Sequence, residues 1–106
     1  MINDDRRTRR VIINSDVKNE ADDQFAIVHA LLSHTLDVRG VIPAHFGTHR
    51  TTESLAESRA ELDLVLGLLD LDREVPTADG APTALVDENT PIDSPGARLI
   101  IEEARR

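Results

Sequence analysis

Residues 1–9 are charged and lack hydrophobic periodicity, which predicts a disordered lead-in. The first apolar run, Val11-Ile12-Ile13, is wholly β-branched and predicts a short strand buried on both faces. A polar stretch from Asn14 to Ala21 leads to Asp22-Asp23. Phe25, Ala26, Ile27, Val28, Ala30, Leu31 and Leu32 then predict a densely apolar helix, with the two aspartates at its positive end and His29 packed in the core. A second strand is expected over Val38 to Ile42, with Gly40 inside it and Pro43 ending its ladder. Ser54 and Glu57 have capping-box spacing, and Leu55, Leu62, Val65, Leu66 and Leu69 fall along one face of the helix that follows. Val75-Pro76-Thr77 reads as a third extended segment. Ala78 to Pro95 reads as loop, and Ala97 to Arg105 as a last helix.

Strand, helix, strand, helix, strand is the alternation of a parallel α/β sheet with right-handed crossovers. The expected fold is therefore an open parallel sheet with flanking helices. Three short strands make a thin sheet, and a parallel sheet wants helices on both faces. The reading is of an incomplete domain, with residues 1–9 as lead-in and 10–106 as the N-terminal part of something larger.

Charge narrows the possible partners. Twenty acids against twelve bases give a net charge of −8, which disfavours nucleic acid and anionic lipid. Aromatic content of 2%, without Trp or Tyr, removes base-stacking platforms. The absence of cysteine removes disulfide scaffolds, thiolate zinc sites and cysteine nucleophiles together. No apolar stretch approaches a membrane span, and no apolar signal core follows the N-terminus, so a cytoplasmic location is expected. What remains is an acidic domain whose partner is a small molecule or a cation.

Asn14 to Asp23 is the informative segment, because it joins the C-terminal end of the first strand to the first helix. Ligand sites of open α/β sheets gather at that edge. Asp16, Asp22 and Asp23 can converge there, with Asn19 and Glu20 nearby. Clustered hard oxygens suit calcium or magnesium, and a metal held by two of them lowers the pKa of a bound water while the third bonds substrate. Aspartate at a helix start is equally ordinary capping, and an acidic loop is often only solvated. A receiver-type phosphorylation domain also gathers acids here, but it needs a later lysine, and Lys18 is the only lysine. His45 lies after the second strand, where it lines the pocket or is solvated. His45 and His49 on one loop are a weak metal signal. Phe46 either stacks on a base or plugs the sheet edge, and the plug is the favoured reading.

At these residues the sequence resembles the inosine-uridine-type nucleoside hydrolases and their relatives. That family opens with a buried strand, an Asp-x-Asp-Pro-Gly-x-Asp-Asp loop and an apolar helix. Asn14-Ser15-Asp16 corresponds to the Asp-x-Asp and Asp22-Asp23 to the closing pair. Lys18 to Gln24 looks like a longer variant loop found in a subgroup. Asp37 to Ile42 resembles the family's second strand, and Val75-Pro76 followed by Gly80-Ala81 resembles a further segment. Asn14 stands where the motif has its first Asp, the Pro-Gly turn is absent, and no Asn follows the second strand.

The resemblance implies a Rossmann-like, nucleoside-hydrolase type of fold and hydrolysis of the N-glycosidic bond of a nucleoside to ribose and free base. Asp16 would bind calcium and orient or deprotonate the attacking water, and Asp23 would be the second calcium ligand. Asp22 would bond ribose hydroxyls, with Asn19 and His45 on the substrate side. Further calcium ligands and the leaving-group acid would come from segments this chain lacks, and a full-length form would be a homo-oligomer. The competing expectation is a non-catalytic, truncated or split fragment that serves, if at all, as an interaction module.

Overall fold

The computed structural model describes residues 8–19 and 21–106. Strand β1 (Arg9–Ser15) runs parallel to β2 (Leu36–Pro43), and helix α1 (Asp22–Leu32) connects them. Helix α2 (Ser54–Leu68) follows, and after a long irregular segment comes α3 (Pro95–Ala104). The class is α/β, with a parallel two-stranded sheet and three helices among the described residues. Most of the expected lead-in, residues 1–7, lies outside the described residues, whereas Arg9 already belongs to β1.

The expected third strand shrinks to a single bridge, Val41 to Thr77. Val41 N donates to the Pro76 carbonyl (3.0 Å), Ala78 N to Val41 O (3.3 Å) and Gly80 N to Pro43 O (3.1 Å). Continuing that ladder would require an N–H at position 43, and proline has none. On the other side β2 carries a bulge. Val11 pairs with Val38 but Ile12 pairs with Gly40, so Arg39 is an extra residue in the strand.

Alternation along the strands divides the side chains between two faces. Ile13, Val38 and Val41 join Val17, Ile27, Leu62, Val65 and Leu66 in the core under α1 and α2. Gly40 and Ile42 turn to α3, which approaches so closely that a β-carbon on Gly40 would lie 2.6 Å from Leu99 Cδ2. One on Gly96 would lie 2.7 Å from Ile42 Cγ2. Two glycines thus let the Leu99 side chain of α3 lie on the backbone of β2 and the Ile42 side chain of β2 lie on the backbone of α3.

Several local expectations are corrected. Val11, Ile12 and Ile13 are half-buried rather than sealed on both faces, because the helices pack chiefly on β2. In α1 only Ile27 is fully buried; Phe25 is 76% exposed, and His29 faces outward instead of packing in the core. The capping box does not form. Ser54 is already helical, and its hydroxyl accepts from Phe46 N (3.1 Å) instead of capping α2.

The helix ends that do follow local rules are at α2 and α3. Helix α2 stops in a left-handed turn, with Asp70 at φ 59° and Leu71 N donating to Leu66 O (2.9 Å). Helix α3 starts two residues earlier than expected, with Ser94 Oγ accepting from Ala97 N (3.1 Å) and proline in its first turn.

Candidate functional site

The C-terminal ends of β1 and β2 and the N-termini of α1 and α3 lie along one edge of the sheet. Ala44 N donates to Ser15 O (2.8 Å), which joins the two strand exits, and Gly96 N donates to Asp79 O (2.7 Å), which ties α3 to the bridging segment. A cleft of about 290 Å³ opens between these pieces. It is lined by Asn14, Ala44, His45, Gly80, Ser94 and Gly96, among others.

The acidic loop begins as β1 ends. Asp16 to Asn19 is a turn in which Asn19 N donates to Asp16 O (2.8 Å) and Asn19 Nδ2 donates to Asp16 Oδ2 (3.2 Å). Val17 between them is fully buried and anchors the loop in the core. The Ser15 hydroxyl donates to Asp23 Oδ2 at 2.5 Å, so Asp23 is held beside the residue that precedes Asp16. Asp22 and Asp23 occupy the first turn of α1, where the helix dipole favours negative charge. Asp22 is exposed and Asp23 half-buried.

Asn19 is thus engaged with Asp16, and its carbonyl accepts from Arg50 Nη1 (2.9 Å). His45 Nδ1 accepts from Gly47 N (3.1 Å). Gly47 sits at φ +85°, which suits glycine. His45 and Asn14 share the cleft, while Asp16, Asp22 and Asp23 are not among its lining residues. Glu20 lies outside the described residues.

Sequence reasoning passed over three side chains here. Ser15 had a signal, since a hydroxyl sits between the strand end and the acids. Arg50 and Val17 had none, because only the folded loop brings them in. Lys18 Nζ from this turn and Gln24 Nε2 from α1 both donate to Glu61 on α2, at 3.3 and 3.4 Å, and these bonds brace the loop against that helix.

Calcium, which takes six to eight oxygens, is a fit in donor type for Asp16 and Asp23. Among the described residues no group of three His, Cys, Asp or Glu side chains is placed to hold a metal, so these two carboxylates would furnish part of a shell. Among the described residues no helix is long and apolar enough to cross a membrane. Comparison with protein-family models, curated proteins and solved structures gives no match to this chain.

Proposed function

We propose that this chain is the opening part of a Rossmann-like, nucleoside-hydrolase-like domain, cleaving the N-glycosidic bond of a ribonucleoside. The observation that carries the reading is the Ser15–Asp23 hydrogen bond, which holds Asp23 beside the strand end from which Asp16 emerges. Asp16 and Asp23 would hold calcium, which when bound would acidify a water at this edge. The Asp16 carboxylate would orient that water and accept its proton as the water oxygen bonds to the anomeric carbon. The C–N bond breaks, and its electron pair leaves with the base. Asp22, exposed at the helix start, is free of the core to bond ribose hydroxyls. Negative carboxylates here would also stabilise the positive charge that develops on the sugar. Asn19 would act on substrate through the Asp16 turn, and His45 from the neighbouring cleft.

The reaction asks for more oxygen ligands and a leaving-group acid than the described residues bring together. The test is therefore made on the protein as isolated from its own cells, with its intact mass recorded. Ribose release from inosine or uridine in calcium should fall by about a hundredfold or more in Asp16→Asn, in line with loss of a general base. A rate unchanged by Asp16→Asn would remove the catalytic assignment.

A second reading, a non-catalytic interaction module, is favoured by a different observation. Phe25, Leu64 and Leu68 line an apolar groove of about 280 Å³ between α1 and α2, and Leu68 is 79% exposed. Absence of ribose release at any calcium concentration, from protein of confirmed mass, would favour it.

A further inference from the structure

The loop that leaves β2 is fastened at both ends and in its middle. Ala44 N donates to Ser15 O (2.8 Å), Phe46 N to Ser54 Oγ (3.1 Å) and Glu53 N to the Thr51 hydroxyl (3.0 Å). Arg50 Nη1 donates to Asn19 O (2.9 Å) and ties the loop to the acidic turn. Between these fastenings Gly47 N donates to His45 Nδ1 (3.1 Å).

That bond differs from the others in kind. An imidazole nitrogen accepts a hydrogen bond only through its lone pair, so Nδ1 is bare and the ring proton sits on Nε2. A second proton would go to Nδ1, the atom that faces the Gly47 N–H, and would turn an acceptor into a donor. The carbonyls and hydroxyls that take the other bonds keep their charge near neutrality, whereas histidine ordinarily changes its charge between about pH 5 and 8. Gly47, at φ +85°, turns the chain here without strain, and the turn leads on to Arg50.

The surroundings leave His45 to titrate alone. Its ring is half-buried on the wall of the cleft. There β1 contributes Asn14, the bridging segment Gly80 and α3 Ser94, all uncharged, and among the described residues no other titratable side chain lines the cleft. Asp79, beside Gly80, lies 3.6 Å from Arg59, while Asp16 and Asp23 are bonded by Asn19 and Ser15. Helix α2 meets the loop through the Ser54 hydroxyl. On the loop itself exposed His49 lies against Gly47, its Nδ1 3.3 Å from where a β-carbon would sit, and Arg50 follows.

We propose that His45 is a pH-operated latch. Neutral, it closes the turn at Gly47 and delivers Arg50 to the acidic turn; protonated, it opens that turn and releases Asn19. Proton binding favours the open form, so the latch tightens as pH rises and loosens as pH falls. It stands on these contacts alone and holds whether or not the chain cleaves nucleosides.

The test is nitrogen-15 NMR of the whole chain from about pH 8 to about pH 5, the interval in which histidine titrates. At the alkaline end the His45 ring should carry its proton on Nε2. The Asn19 amide and Arg50 side-chain signals should move with the midpoint of that ring. Exchange of the Gly47 amide, corrected for its intrinsic pH dependence, should quicken by about two- to tenfold on protonation, the loss expected of one neutral hydrogen bond. His45→Asn offers Gly47 an acceptor that takes no proton, so it should keep the alkaline signals of Asn19 and remove their titration. His49→Asn should leave the titration in place. Should His45→Asn not fold, the tautomer and the shared midpoint in the wild type decide alone. A ring proton on Nδ1 at the alkaline end overturns the proposal. So do Asn19 and Arg50 signals that stay flat while His45 titrates, that titrate unchanged in His45→Asn, or that stop titrating in His49→Asn.

Discussion

Arg39 Nε donates to Glu103 Oε2 across 3.3 Å, joining the bulge of β2 to the last turn of α3. The same carboxylate oxygen lies 3.7 Å from Arg10 Nη1, and Glu103 Oε1 lies 3.5 Å from Arg106 Nε. Arg39 also reaches Asp37 Oδ2 at 3.3 Å. The bond to Glu103, then the charges of Glu103 and Asp37, push the Arg39 guanidinium pKa upward. With its side chain only 12% exposed, Glu103 is the shielded anion among three arginines. Glu103→Gln should therefore lower Tm, and the loss should shrink at high salt, because it leaves three cations facing one another. A Tm drop equal at low and high salt would show that shape, not charge, holds this corner. Differential scanning calorimetry in two salt concentrations decides it.

Gly40 and Gly96 test the close approach of α3 to β2. Adding a methyl at either position overpacks the contact, a change that typically costs about 1–3 kcal/mol. Gly96→Ala should be the worse of the two. Its β-carbon would meet the stiff Ile42 side chain at 2.7 Å and the Asp79 carbonyl at 3.1 Å, whereas Gly40→Ala meets the movable end of Leu99. Leu99→Ala should consequently rescue part of the Gly40→Ala loss and none of the Gly96→Ala loss. Urea denaturation of the wild type, the three single variants and the two double variants with Leu99→Ala forms the two required cycles.

Asp70 ends α2 in the left-handed region, at φ 59°. An L-residue there is strained, and glycine is not. Asp70→Gly should stabilise the protein by about 0.5–1 kcal/mol, net of the extra chain freedom glycine brings to the unfolded state. Chemical denaturation measures this directly, and a destabilised Asp70→Gly would mean that the carboxylate itself contributes.

Asp93 and Arg98 make a bidentate pair at the start of α3, with bonds of 3.1 and 2.7 Å. The hydrogen bonds and charge of Arg98 hold the Asp93 carboxyl below the usual aspartate range. A folded pKa below the unfolded one means the unfolded state binds more protons in that interval. The pair's stabilisation is then complete above about pH 4 and lost as pH falls through the folded pKa. Asp93→Asn should lower Tm near neutrality, where the pair is fully formed, and flatten the fall in Tm on the acid side of pH 4. An unchanged acid limb would assign that limb to other carboxylates, Asp87 among them, which a hydrogen bond from Thr90 also lowers.

Much of the element order was legible because it follows from local pattern. The β-branched run Val11 to Ile13, the periodic leucines of α2 and the polar exits of the strands carry it without tertiary help. What stayed hidden depends on partners far along the chain. Ser54 looks like a cap, but Phe46 N competes for its hydroxyl. Val75-Pro76-Thr77 has strand chemistry, yet the strand it would pair with ends in a proline and carries a bulge in its middle. That Asp16, Asp22 and Asp23 follow the exit of β1 and His45 the exit of β2 could be read from the strand–loop–helix order, whereas only His45 of the four lines the cleft there. The bonds that position them, from Ser15 to Asp23 and from Asn19 to Asp16, could not, since spacing says nothing of side-chain direction.

The bulge at Arg39 also bears on insertion and deletion. Val38 opposes Val11 and Gly40 opposes Ile12, so the strand on either side of Arg39 is already in step with β1. Deleting Arg39 would close the ladder with Val41 still in the core and Ile42 still against Gly96, and it would remove only the arm that reaches Glu103. Most single-residue deletions in a strand turn every later side chain to the wrong face. Here β2 carries a position that can be gained or lost in one step without rewriting the rest of the strand.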